Sequence, residues 1–252
     1  AKGSVDYSCG YMRRETSWKW TSINGLDSLG KVIGVNLATG AYELLSNDMG
    51  TTGKLNAIGF NNFDRYIYGY STEFKSLVRI DSSFQVTSLT ATQQPSGNFY
   101  VGDVSPAENA MYLYLPGSSY GFYRVSLDQA SEDYLVFNRI VSGSSLSLRI
   151  YDFAFHPQNQ QLYSVDASGT LHEIDPATGN VTRHGNVGES GTFGAVYFDK
   201  TGNFYISRNS DGHIFRIDTS AAEPAADFFA FGPSSSNNDG ARCTNSDILD
   251  DV

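Results

Sequence analysis

The sequence predicts an all-β protein, a five-bladed β-propeller in one domain over residues 1–252, and three observations carry the prediction. A strand pattern ending in Ile-Asp or its equivalent returns at steps of 43 to 49 residues, the length of a four-stranded blade. An apolar–Tyr pair in an alternating run precedes each return. The composition, with 16 Tyr, 16 Phe and 25 Gly and only 17% charged residues, suits short strands joined by tight turns. Six blades is the alternative reading.

The Asp-type motif is read at SLVRID ending in Asp81, FYRVSL with Ser126 in the Asp place, LHEID ending in Asp175 and IFRID ending in Asp218, with an upstream copy in KVIGVNLATG, where Asn36 takes that place. Ahead of it lie Ile67-Tyr68, Met111-Tyr112, Leu162-Tyr163 and Phe204-Tyr205, read as the second strand of each blade. Still earlier come LNAIGF from Leu55, FYVGDVS from Phe99, IYDFAF from Ile150 and FGAVYF from Phe193, the predicted inner strands. Turns such as Pro176-Ala177-Thr178-Gly179 lead to outer strands, for example at Val181 and Asp227. An Asp repeated from blade to blade is expected to start the following turn.

The chain ends are expected to share a blade. The N-terminal part offers a Tyr-type strand from Gly10 (GYMRRET), an Asp-motif strand (KVIGVNL) and an outer strand (AYELLS), but no inner strand; NDGARC near the C-terminus supplies one. Cys9 and Cys243, the two cysteines, then fall on two sides of one hairpin position. A disulfide between them would replace the missing covalent hairpin and require an oxidising compartment; two unrelated buried thiols are the alternative. A single sequon, Asn180-Val181-Thr182, fits a secreted chain. Residue 1 is Ala rather than Met, which fits a removed leader or a trimmed chain.

At LGKVIGVNLATG, LNAIGF, KSLVRID and NNDGARC the sequence resembles a propeller-type domain of unknown function found in large bacterial surface adhesins and secreted fungal proteins. The resemblance implies a secreted or surface-displayed binding module and transfers no catalytic residue.

The formal charge of −10 opposes a sequence-independent grip on nucleic acid, and no apolar run is long enough to insert in a membrane as a helix. The partner expected is a carbohydrate or an exposed peptide on a cell surface. Candidate contacts are loop aromatics: Trp18 and Trp20 in the segment 17–30, read as a long loop, with Phe74 and Tyr120 in the corresponding loops of two other blades. These also serve if they merely cover the blades beneath. Asp103, Asp152 and Asp239 fall on predicted inner strands, where carboxylates can contact a ligand, cap backbone N–H groups, or act as a pair on a glycosidic bond. The last option gives the competing reading, a glycosidase-like hydrolase. A non-binding spacer within a larger surface protein is a third. With Asn237 and Asn238 the same Asp residues offer oxygen ligands for Ca²⁺, the one cofactor considered, although no calcium-loop pattern is present. The histidines, His156, His172, His184 and His213, lack zinc-site spacing, and the Arg13-Arg14 pair reads as a solvated strand edge. No nucleophile elbow, phosphate loop or dinucleotide fingerprint occurs.

Overall fold

The computed structural model describes residues 20–24, 31–35, 41–51, 54–115, 121–142, 148–232, 234–235 and 238–243. Within them are twenty strands in five four-stranded antiparallel sheets. The first sheet runs β4 (Leu55–Phe60), β5 (Ile67–Ser71), β6 (Ser76–Ile80), β7 (Val86–Ser88), and the second β8 (Val101–Val104), β9 (Ala110–Leu115), β10 (Gly121–Ser126), β11 (Phe137–Ser142). The third runs β12 (Ala154–Phe155), β13 (Leu162–Val165), β14 (Thr170–Ile174), β15 (Val181–Asn186), and the fourth β16 (Phe193–Phe198), β17 (Asn203–Arg208), β18 (His213–Asp218), β19 (Asp227–Phe231). A composite sheet joins β20 (Asn238–Arg242) to β1 (Trp20–Asn24), β2 (Lys31–Val35) and β3 (Tyr42–Ser46).

The order inner strand, Tyr strand, Asp-motif strand, outer strand is the one expected. The chain ends do share a sheet, yet through different residues than the sequence suggested. Trp20–Asn24, inside the segment read as a loop, is the strand that pairs with β20, Thr21 opposite Ala241 and Ile23 opposite Asp239. The same five residues pair with β2, so only 25–30 connect β1 to β2. Pairing with β20 on one edge and β2 on the other gives the backbone groups of these residues hydrogen-bond partners that a loop would have to find elsewhere. The segment from Gly10 that was expected to be this strand lies outside the described residues.

Toward the inner side of the sheets the strands are covered on both faces, as in β5, β9 and β16, where every residue is buried, whereas the outer strands β3, β7, β15 and β19 are mostly exposed or half-buried. Five apolar clusters fill the spaces between successive sheets. Tyr70, Phe99 and Phe137 lie between the first and second, Phe122, Phe153 and Phe155 between the second and third, and Tyr163, Phe198 and Phe204 between the third and fourth. Ile33 of the composite sheet packs with Tyr205 and Ile214 of the fourth, and Val32 and Ala241 pack with Leu55 and Ile58 of the first. The inner strands follow the same cycle, each next to its neighbour in the order β20, β4, β8, β12, β16 and back to β20. This is a β-propeller arrangement.

The recurrent Tyr and Asp have local structural work. Tyr68 donates its hydroxyl to Asp64 at 2.5 Å, Tyr112 to Glu108 at 2.5 Å, and Tyr205 to Asp199 at 3.1 Å, while Asn159 donates to the Tyr163 oxygen at 3.0 Å. Each Tyr thereby ties its strand to the turn that leads in from the inner strand. Asp81, Asp175 and Asp218 accept backbone N–H groups two residues on, from Ser83, Ala177 and Ser220, as turn-starting residues do.

Candidate functional site

Three carboxylates sit on or beside the inner strands, and both oxygens of each accept backbone N–H groups. Asp152 takes Phe153 at 2.9 Å with one oxygen and Val196 of the next sheet at 3.0 Å with the other. Asp239 takes Gly240 at 2.8 Å and Ile58 of the next sheet at 3.2 Å. Asp103 takes Val104 at 2.8 Å and Phe155 of the next sheet at 2.9 Å. Each is therefore a clamp from one sheet to the following one, the backbone-capping role among those the residue type allows.

The clamps stand at two levels. Asp103 lies opposite Tyr112, whereas Ala154 lies opposite the repeat-equivalent Tyr163, so Asp152 stands two residues earlier in the register. Asp239 shares the level of Asp152: Val196 and Ile58, the amides they hold, each precede a residue paired with the repeated Tyr. Two residues of strand amount to roughly 7 Å along the inner strands. At the two sheet junctions without a carboxylate clamp, a glycine lets the inner strands approach closely. A Cβ on Gly59 would lie 2.3 Å from the Val104 nitrogen, and one on Gly240 would lie 3.1 Å from the Ala195 Cβ. Arg242, buried, also donates to the Phe198 carbonyl at 2.8 Å, joining the composite and fourth sheets.

Burial dominates the electrostatics. It pushes the Asp103 carboxyl up to about 7 against the pull of the Phe155 and Val104 amides. Asp152 and Asp239, both fully buried, are raised well above the ordinary carboxylate range, first by burial; the Asp239 charge adds to the rise of Asp152, and the Asp103 charge to that of Asp239. Asp166 shows the opposite balance: burial pushes it up, but hydrogen bonds from His172, Ser168 and Thr170 hold it at about 2.

Among the described residues no group of three or more His, Cys, Asp and Glu side chains is arranged to hold a metal ion. His172 pairs with Asp166 at 2.8 Å and His184 with Glu173 at 2.6 Å, and each pair spans one sheet. Asn237 lies outside the described residues, as do Trp18, Tyr120, Arg13, Arg14 and Cys9. Trp20 is placed on β1 rather than on a loop. Cys243 is buried beside β20.

At the end of the sheets where the inner strands begin, Phe74 is 39% exposed in the β5–β6 turn, Tyr100 is 40% exposed just before β8, and Tyr151 is 38% exposed just before Asp152. The pairing of Leu55 with Ser71, and of Ser71 with Ser76, puts the β5–β6 turn at this end. Phe74 was legible in the sequence. Tyr100 and Tyr151 were not, because each sits in an alternating run whose other members are core, and the side of the strand they occupy emerges only from the packing. Between the β5–β6 turn and the segment entering β8 lies a groove of about 350 Å³ lined by Tyr70, Lys75, Gln94, Pro95, Ser96, Gly97 and Asn98. Its walls are tied together: Gln94 donates its amide to the Lys75 carbonyl at 2.8 Å, and Tyr70 its hydroxyl to the Gly97 carbonyl at 2.9 Å.

Sheets packed in a cycle, with exposed aromatics and a groove at one end, define a propeller-class repeat protein. Residues 28–245 match the model of a repeat of unknown function (DUF6923), and the chain belongs to that family. No curated protein matches it significantly. Among solved structures it is similar to a chain of a nidogen/laminin complex, at 12% identity over 90% of this chain and 100% of that one, with a TM-score of 0.52. It is also similar to a gluconolactonase from Xanthomonas campestris, at 13% identity over 88% of this chain and 79% of that one, with a TM-score of 0.54. At these identities the likeness is one of fold. No helix among the described residues is long and apolar enough to cross a membrane.

Proposed function

We propose that the protein is a secreted or cell-surface recognition module, a five-bladed propeller that binds a carbohydrate or an exposed peptide on the end where its inner strands begin. The exposure of Phe74, Tyr100 and Tyr151 around that end carries the reading. Rigid aromatics beside a groove offer stacking faces to a sugar ring or an anchor for a peptide at small entropic cost. The cyclic packing of five sheets supports the blade count, and the resemblance to domains of surface adhesins and secreted fungal proteins supports the setting. The burial of Cys243 next to β20, which pairs with the N-terminal strand β1, supports a closing bridge to Cys9.

The hydrolase reading draws less support. A catalytic carboxylate must reach the glycosidic bond or a water; Asp152 and Asp239 are buried at 1% exposure, Asp103 is half-buried, and each oxygen of all three already accepts a backbone amide. A glycan and peptide array tests the proposal, with wild type, Phe74→Ala and Tyr100→Ala compared at unchanged melting temperature. Binding that falls in both variants supports it; an array on which the wild type binds nothing overturns it.

A further inference from the structure

We propose that Asn180 carries an N-linked glycan, attached in the β14–β15 turn and projecting from the end of the sheets opposite the recognition end. The inference rests on the secreted setting in the recognition reading and adds a modification site to it. Asn180-Val181-Thr182 is the one Asn-x-Ser/Thr triplet in the sequence. A triplet alone arises readily by chance; the structure adds that its side chains have no other duty.

The turn closes without the Asn180 carboxamide. Asp175 accepts the Ala177 N–H at 2.9 Å and the Thr178 hydroxyl at 2.7 Å, and its carbonyl accepts the Gly179 N–H at 2.7 Å. The Asn180 backbone is engaged on both sides, its N–H by the Thr178 hydroxyl at 3.2 Å and its carbonyl by the Asp175 N–H at 2.9 Å. Its side chain is exposed and makes no hydrogen bond among the described residues. Nearby asparagines differ: Asn159 accepts the Gln161 N–H, Asn186 accepts the Gly188 N–H, and Asn203 donates to Asp199. An asparagine with such a task gives up its bond when a sugar is attached. Val181 packs toward the cluster between the second and third sheets, so alternation turns Thr182 away from it, exposed and without a hydrogen bond among the described residues. β15 is the outermost strand of its sheet, so a bulky solvated glycan there meets no further strand.

The register fixes the end. Phe155 pairs with Leu162, Leu162 with Ile174 and Ile174 with Val181, which sets the turn at the level where the inner strand β12 finishes, away from Phe74, Tyr100 and Tyr151. Attachment is a group transfer from an oligosaccharide carried on a polyisoprenyl diphosphate. A bond forms between the Asn180 Nδ2 and the anomeric carbon, the bond from that carbon to the diphosphate oxygen breaks, the lipid diphosphate leaves with the electron pair, and the amide gives up one proton.

The test is expression in insect cells behind a cleavable leader, with wild type, Asn180→Gln, Thr182→Ser and Thr182→Val compared by peptide mapping of secreted and retained chains, before and after peptide-N-glycosidase. The expected result is a glycopeptide containing Asn180 in secreted wild type and Thr182→Ser, lost in Asn180→Gln and Thr182→Val. Glycosylated and enzymatically deglycosylated wild type are expected to give the same melting temperature and the same glycan and peptide array signal. Unmodified Asn180 in secreted wild type overturns the inference, as does retention of the glycosylated chain while Asn180→Gln is secreted; array binding then leaves the recognition reading standing. An array signal that the glycan suppresses overturns its placement at the opposite end. A glycopeptide at Asn180 on a protein that binds nothing on the array supports the modification site and overturns the recognition reading alone.

Discussion

The Asp152 carboxylate accepts the amide of Val196 at 3.0 Å, a hydrogen bond that crosses from the third sheet to the fourth in a fully buried setting. Asp239 makes the equivalent bond to Ile58 and Asp103 a displaced one to Phe155, so side chains that invite a catalytic reading hold the innermost strands in register.

Removing such a clamp strands two amides. Asp152→Ala is expected to destabilise the protein by about 2–4 kcal/mol, since the Val196 and Phe153 N–H groups lose their acceptor at a buried position. Asp152→Asn keeps one acceptor and removes the repulsion from Asp239, so its cost is smaller. Urea unfolding measures both, and equal stability of wild type and Asp152→Ala would remove the clamp from the account.

The pH dependence has a definite sign. The Asp103 pKa is about 7 in the folded protein, above the ordinary 3.8 of the unfolded chain, so the folded state holds the proton across that interval. The contribution of Asp103 is therefore most favourable below about pH 4 and is lost as pH rises to about 7. Asp103→Asn does not titrate. Its stability relative to wild type is expected to climb between pH 4 and 7 and level off above, and a flat or falling difference contradicts the assignment.

Gly59 meets its neighbour where no side chain fits. A Cβ there would lie 2.3 Å from the Val104 nitrogen and 2.6 Å from an Asp103 oxygen, and the obstructing backbone belongs to the next sheet's inner strand. Gly59→Ala is expected to cost about 2 kcal/mol or more, with the first and second sheets forced apart. A melting temperature equal to that of wild type would show that the sheets are less tightly apposed.

The tyrosine hydroxyls make a milder prediction. Tyr112→Phe keeps the ring against Phe122 and Phe155 and loses only the bond to Glu108, which Arg124 still engages at 3.0 Å. The expected loss is about 0.5–1.5 kcal/mol by denaturant titration; a loss of several kcal/mol would mean that the hydroxyl holds more than its own turn.

A Cys9–Cys243 bridge would close nearly the whole chain into a loop. In the chain-entropy model it contributes up to about 4–5 kcal/mol before strain. A non-reduced digest is expected to yield the Cys9 and Cys243 peptides as one linked species, and reductant to lower the melting temperature; two separately recovered thiol peptides would exclude the bridge.

Sequence alone determined the repeat, the order of strands within it and the sharing of one sheet by the two chain ends, because period and alternation are properties of neighbouring residues. It also marked Asp81, Asp175 and Asp218 as turn residues, since an Asx turn is closed within a few positions. Tertiary structure decided the rest. Whether Trp20–Asn24 is loop or strand depends on β20, more than two hundred residues away, offering it a partner edge. The carboxylates of Asp103, Asp152 and Asp239 became clamps only because the next sheet presents an amide within 3.2 Å of each, and the groove beside the β5–β6 turn exists only because Gln94–Asn98 folds against that turn. A role that consists in meeting a distant piece of backbone leaves no local pattern to read.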